Sequence, residues 1–243
     1  DLEASIDMQT QNFQLTLQGG SVNQMALAQS RRAYALALNG DWQLAEADAI
    51  AALALEVPQN LTFLNAYAAL SLHALYREQP LRVIERLTAL LEKLESIESL
   101  NIYAMIEGCA VCADGWLTMA EVDRKNLPQA ERALAQIQRA AISYPIAEPR
   151  AAIYAAWMAF LKGDTAAEIG LETALSRAQA LGLVYDEALT WYVRSHLTPD
   201  AAKRREYGQE AVKHFSRLLI PYDLRRATRS VGGDQGTLST KPG

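Results

Sequence analysis

The sequence predicts an all-α solenoid of about five helix hairpins, and three observations carry that expectation. Turn signals recur at a spacing of roughly forty residues, a period typical of helical-repeat arrays. Two of those turns, Asn39-Gly40-Asp41-Trp42 and Lys162-Gly163-Asp164-Thr165, share a Gly-Asp pair. Each leads into an Ala-rich run: Ala45, Ala47, Ala49 and Ala52 after the first, Ala166, Ala167, Ala174 and Ala178 after the second. Finally, 50% of the chain is hydrophobic but only 7% aromatic, so Ala and Leu, strong helix formers, dominate its apolar content. Such an array offers a surface more often than a catalytic centre.

Residues 1–20 carry Leu2, Ile6 and Phe13 at spacings that fit one helix face, and Gln18-Gly19-Gly20 ends the segment. They read as the remnant of an upstream hairpin or as a linker. Ser21 can cap a helix running to Asn39, with Val22, Met25, Ala26, Ala33, Leu36 and Ala37 on one stripe. Gly40 stops it, Asp41 caps the return helix, and that helix ends before Pro58. The second hairpin pairs Leu61–Tyr76 with Leu81–Glu95, Pro80 taking the first helical position. Ile84, Leu87, Leu91 and Leu94 form its apolar stripe among Arg82, Glu85, Arg86, Glu92 and Lys93.

The third hairpin has a longer first helix, Leu100–Glu121, then a return helix capped by Asn126, with Leu127, Ala130, Leu134, Ile137 and Ala141 inward. The fourth pairs Ala147–Lys162 with Thr165–Leu181 and stops at Gly182; Ala167, Leu171, Leu175, Ala178 and Leu181 face inward. The fifth pairs Tyr185–Leu197 with Pro199–Leu219, capped by Thr198 and closed by Pro221, with Tyr207, Ala211, Phe215 and Leu218 as its stripe. The repeat domain thus covers 21–229. The segment 230–243 ends in a Gly-rich run without apolar pattern and is expected to be a disordered tail.

A net charge of −5 argues against a general nucleic-acid binder, because phosphate contacts need a positive field. The charge is uneven. Between Ala201 and Ser230 eight basic side chains face three acidic ones, so that stretch is net positive while the remainder is net negative. The ordinary reading is a solvated helix face, with an anionic partner as the alternative. No apolar run reaches membrane-spanning length, and no basic-then-apolar signal stands at the start, so a cytoplasmic setting without membrane contact is expected. A chain opening at Asp1 rather than Met reads as a fragment, a domain or a processed product.

Gly40-Asp41-Trp42 followed by Ala45, Ala52 and Pro58 resembles the tetratricopeptide repeat, with the proline one place late. The second and third hairpins depart from that pattern, since Arg77-Glu78-Gln79-Pro80 replaces the Gly-Asp turn and the third unit is too long. The resemblance implies a degenerate tetratricopeptide-like array whose first helices line a concave face. A more particular likeness covers Gly163 to Ala227. It consists of Gly163-Asp164, the run Ala174 to Leu189, Lys203-Arg204-Arg205-Glu206-Tyr207 with Ala211 and Phe215, and Tyr222 to Ala227. This stretch resembles the C-terminal helical region of bacterial multidomain signalling proteins with an ATPase domain, found behind class III cyclase, kinase or DNA-binding domains. The likeness implies a sensor or scaffold region, with a neighbouring ATPase or cyclase domain as one partner.

For chemistry the sequence offers little. There is no phosphate-binding G-x-x-x-x-G-K-[ST] loop, no H-E-x-x-H and no G-x-S-x-G, so neither a cofactor nor a metal is expected and the chain reads as non-enzymatic. Cys109 and Cys112, one turn apart, lack the further ligands a zinc site needs and read as small buried hydrophobes. His73, His196 and His214 fall in separate helices, where packing or surface roles are expected, although His196 and His214 can approach across the last hairpin. Glu107 and Asp114 lie seven residues apart on one helix face. Tyr103, Trp116, Tyr154, Trp157, Trp191 and Tyr192 lie on the first helices of hairpins three to five. Those eight residues are the candidate partner-binding set: two or three rings lining a groove whose acidic neighbours, among them Asp186 and Glu187, favour a basic or neutral amphipathic segment. Core packing is the competing reading for the rings. The rival functions are a free-standing scaffold and an enzyme with its site around Glu107, Asp114 and Trp116.

Overall fold

The computed structural model describes residues 2–58, 60–98, 103–164 and 167–232. Among these residues there are twelve α-helices and no β-strand. Contacts divide the chain into two compact units, Asp1–Gly115 and Trp116–Gly243, with the boundary inside α6 (Ile106–Val122). The expected repeat domain, 21–229, is shared between them.

The first unit begins with α1 (Leu2–Gly19), so the segment read as a remnant or linker is one continuous helix. Its half-buried side, Leu2, Ile6, Gln9, Phe13 and Thr16, has helical spacing, and α1 packs on α2 (Val22–Asn39) with Arg32 lying 4.3 Å over the Phe13 ring. Helix α2 starts at a reciprocal cap. The Gln24 backbone N–H donates to Ser21 Oγ (3.3 Å), and the Ser21 N–H donates to Gln24 Oε1 (3.1 Å). It ends at Gly40, whose φ of 89° is the left-handed conformation that glycine adopts without a Cβ penalty.

Helix α3 (Trp42–Leu53) ends before Pro58, as expected. Asp41 sits at its start but makes no side-chain cap hydrogen bond, accepting instead from Asn39 Nδ2 at 2.8 Å. α4 (Asn60–Tyr76) is buried along almost its whole length, wedged between α2, α3 and α5 (Pro80–Ser96). Leu87, Leu91 and Leu94 of α5 are buried as expected, whereas Ile84 stays 36% exposed and Val83 and Leu90 complete the stripe.

Charges knit this unit where Ala and Leu leave polar flanks. Arg32 grips Asp48 with both arms of its fork, at 2.6 and 2.7 Å. Glu46 receives Arg86 at 3.1 Å and lies 3.4 Å from His73 Nδ1, while the Trp42 ring stacks on Tyr76 and His73.

In the second unit, α7 (Leu127–Ser143), α8 (Glu148–Leu161), α9 (Ala167–Ala180), α10 (Val184–Leu197), α11 (Ala201–Leu218) and α12 (Pro221–Gly232) each pack on the next. Alternate helices also meet, α8 with α10 and α10 with α12. Ala130, Leu134, Ile137, Ala167, Leu171, Leu175, Ala178, Ala211 and Phe215 are buried as the stripes required, while Leu181 is 54% exposed.

Two further cap assignments and one helix boundary change. Asn126 makes no side-chain cap bond and donates from Nδ2 to the Met119 carbonyl, so Asp123 is the capping side chain of that turn, accepting from the Lys125 N–H at 3.0 Å. Thr198 does not cap α11; Asp200 does, accepting from the Ala202 and Lys203 N–H groups. Pro221 closes no helix but opens α12, where its missing N–H is harmless. Residues 230–232, assigned to the tail, are therefore helical, and the rest of that segment lies outside the described residues.

Gly208 sets the closeness of α11 and α12. A Cβ there would stand 2.7 Å from Val231 Cγ2. Gly208→Leu is therefore expected to lose about 1–3 kcal/mol through overpacking. Gly170→Ala in α9, where the added methyl would meet Ala156 Cβ at 3.5 Å, is expected to gain about 0.5–1 kcal/mol from helix propensity. Thermal unfolding of the two variants checks both signs.

Candidate functional site

The eight predicted site residues do not share one environment. In the first unit, Tyr103 is 58% exposed in a single 3-10 turn, Tyr103–Met105. Glu107 is half-buried and accepts a 2.9 Å hydrogen bond from the Tyr34 hydroxyl, and Asp114 is buried. In the second unit, Trp116, Tyr154, Trp157 and Tyr192 are buried, so these rings serve packing and do not stand on an open surface. Trp191 is half-buried, 5.6 Å from Tyr207 and under the guanidinium of Arg194. Cys109 and Cys112 are buried, as their reading as small hydrophobes requires.

What the second unit does assemble is a polar network over an aromatic floor, built from α8, α10, α12 and the C-terminal end of α6. The Trp157 indole N–H of α8 donates to Glu121 Oε1 of α6 at 2.7 Å. His196 Nδ1 of α10 lies 3.8 Å from the same oxygen, and its ring meets Tyr192 edge-on with centroids 4.6 Å apart. Arg226 of α12 lies 4.4 Å over the Tyr192 ring and pairs with Asp223 at 2.6 Å. Asp223 also accepts from the Tyr185 hydroxyl (3.1 Å), and Arg150 of α8 covers Tyr185 while pairing with the buried Asp186. Glu121 and His196 keep 27% and 28% of their side-chain surface in solvent, above the fully enclosed Trp157.

Helical spacing places these groups. Tyr192 and His196 are four residues apart and Asp223 and Arg226 three, so each pair shares a helix face. Sequence reasoning had Trp157 and Tyr192 but missed Glu121, Arg150, Tyr185, Asp223 and Arg226, and it read His196 only as a packing or surface group. The carboxylate–arginine spacing within α12 was the legible signal, though it points as readily to a solvated helix.

Burial, then the positive charges of Arg226 and Arg204, push the His196 pKa down to about 4, so the ring is neutral at neutral pH. Burial, reinforced by the Asp223 carboxylate, raises the Tyr185 phenol well above its ordinary value and keeps it a hydrogen-bond donor. Ser195, next to His196 in sequence, is fully buried and donates to the Tyr192 carbonyl at 2.7 Å, so it is not a nucleophile presented to the imidazole. His214 faces Glu187 and Glu210, a different neighbourhood from that of His196. The arrangement supplies a carboxylate acceptor, a neutral imidazole and a guanidinium side by side, which suits recognition of a polar segment.

Between pH 6.5 and about 4 an unfolded chain protonates His196 and the folded one does not, so folding stability should fall with pH across that window and level off below it. The full drop corresponds to at most about 3 kcal/mol, reduced by the ring's partial exposure. His196→Gln should flatten this limb in denaturant titrations at successive pH values. A residual slope of the same sign is expected from His73, whose pKa burial also lowers. An unchanged slope in His196→Gln would contradict the assignment.

No protein-family model matches the chain, and a comparison with curated proteins finds no match.

Proposed function

We propose that this chain is a non-catalytic interaction module: a tetratricopeptide-like α-solenoid whose alternate helices present a binding face to a peptide or partner helix. The observation that supports the reading is the convergence of side chains from α6, α8, α10 and α12, alternate helices of successive hairpins, into one polar cluster that reaches solvent at Glu121 and His196 above buried rings. In a hairpin array such alternate helices line one side, and groups held rigidly by neighbours lose little entropy on binding. The helix-level likeness to C-terminal regions of signalling ATPases supports a sensor or scaffold role within a larger protein, in a cytoplasmic setting. Among the described residues no helix is long and apolar enough to cross a membrane.

Of the acids in the cluster, Glu121 keeps 27% of its side-chain surface in solvent, whereas Asp186 and Asp223 are buried against Arg150 and Arg226. Basic or neutral amphipathic segments should therefore bind best. An array of amphipathic peptides graded in charge, probed with the wild type and with Glu121→Lys, tests this. Expected is preferential capture of basic peptides and a loss of about tenfold or more in affinity on charge reversal, with helicity unchanged by circular dichroism. Equal binding by both proteins, or capture of acidic peptides only, would place the functional surface elsewhere.

A further inference from the structure

Near the end of α4 one imidazole ties three elements together. His73 lies in the last turn of α4 and is buried, with the Trp42 ring of α3 nearly parallel to it at a centroid distance of 5.9 Å. Its two ring nitrogens face different groups. Arg77 Nε donates to His73 Nε2 at 3.3 Å, and Glu46 Oε2 of α3 lies 3.4 Å from Nδ1. A guanidinium N–H can only donate, so Nε2 carries the lone pair and the ring proton sits on Nδ1, toward Glu46. Arg77 begins the connection to α5, Arg77-Glu78-Gln79, and Glu78 takes a left-handed φ of 55° that residues with a Cβ seldom adopt. The backbone N–H groups of Arg77, Glu78 and Gln79 donate to the His73, Leu75 and Ala74 carbonyls, so the turn folds back on the helix that carries the imidazole. Arg77 is exposed, and the bond to His73 anchors its side chain there.

We propose that His73 is a proton-operated latch on the α4–α5 turn. A proton taken from solvent at Nε2 fills the lone pair that accepts from Arg77, so the hydrogen bond breaks and two cations are left facing each other. Moving Arg77 and its turn away relieves that contact. The remaining charges come from both neighbouring helices: Glu46 on α3, and Arg82 and Arg86 on α5. Arg86 already shares Glu46, reaching Oε1 at 3.1 Å. Burial above all lowers the His73 pKa from its ordinary 6.5; Glu46 opposes the lowering, and Arg77, Arg86 and Arg82 add to it. An opened turn hydrates the ring and returns the pKa toward 6.5, so opening takes up a proton. The latch therefore weakens as pH falls below 6.5 and changes no further once pH is below the pKa of the closed form. The device lies within the first unit and stands independently of the binding-face reading.

The 243-residue chain is titrated from neutral to mildly acidic pH as wild type, His73→Gln and Arg77→Gln, with circular dichroism checking that all three keep their helicity. Proton NMR follows the His73 ring, and amide hydrogen exchange, corrected for its intrinsic pH dependence, follows the Glu78 and Gln79 N–H groups. His73→Gln offers Arg77 a carbonyl oxygen and Glu46 an N–H without being able to take up charge, so its turn should stay closed. Expected in the wild type is a several-fold fall in protection at Glu78 and Gln79 that tracks the His73 titration. In His73→Gln the protection should not change with pH. In Arg77→Gln the His73 pKa should rise, and the turn should be less protected than wild type already at neutral pH. Protection that falls equally in His73→Gln overturns the proposal. So does a His73 that titrates with no change at these two amides, or one that stays neutral until the whole chain unfolds. The wild-type titration alone decides the last two outcomes, whatever the variants' stability.

Discussion

Leu171→Asp is expected to unfold the second unit at a temperature roughly 10 °C or more below the wild type, the largest stability loss anticipated for a single surface-neutral position. Leu171 has no exposed surface and lies at the centre of the α9 stripe with Ala167, Ala174, Leu175 and Ala178, against α8 and α10. Replacing it removes the buried side chain, worth about 2–5 kcal/mol on truncation, and puts an ionised carboxylate into an apolar stripe. At about 2–4 °C per kcal/mol for a chain of this size, even the lower part of that range is easily resolved. Ile169, two residues away and 71% exposed, provides the control: Ile169→Asp should stay within about 0.5 kcal/mol of wild type. Equal melting temperatures for the two variants would mean that α9 is rotated from the register described.

That register was legible because local rules agreed with packing. Gly40, Pro80, Gly163 and Gly182 punctuate the chain where a left-handed residue or a missing N–H is tolerated, and the stripes between them repeat at helical spacing. Errors fell where a local signal had two meanings. Pro221 ends one helix or begins another equally well, and the stripe of α12 beyond it, Leu224, Ala227 and Val231, is short; its inner side also takes Asp223, which accepts from the Tyr185 hydroxyl of α10. Ile84 and Leu181 fit the pattern of their helices but lie at its edges, where burial depends on what the neighbouring helix covers.

The candidate site was legible in part for the same reason. Large rings on alternate helices fall on elements that build the polar network, yet whether a ring lines a surface or fills the core is decided between helices. Trp157 and Glu121 are 36 residues apart, as are Arg150 and Asp186, and no local spacing links them. The sequence could nominate Trp157 and Tyr192. It could not show that they are buried beneath Glu121 and His196, which keep part of their surface in solvent.

Trp157→Ala should expose that dependence, through stability and through the titration of His196 together. Trp157 is fully enclosed, meets Tyr192 edge-on at 6.2 Å, and holds Glu121 through its indole N–H. Truncation should cost about 3–5 kcal/mol, because the cavity among α8 and α10 cannot collapse without moving both helices. Trp157→Phe keeps most of the aromatic volume and loses only the donor, so about 1–2 kcal/mol is expected. The second readout follows from Glu121. Released from the indole, its carboxylate is free to turn to His196 Nδ1, now 3.8 Å away, while water entering the cavity relieves the imidazole's burial. Both changes favour the imidazolium, so the His196 pKa should rise from about 4 toward its ordinary 6.5 in Trp157→Ala, with Trp157→Phe between. The acid limb of the stability curve should shrink in proportion, since that limb is set by the difference between folded and unfolded pKa. Proton NMR titration of the His196 ring resonances, alongside thermal unfolding, measures both. A large stability loss with His196 still near 4 would assign its depression to Arg226 and Arg204 rather than to the enclosure that Trp157 provides.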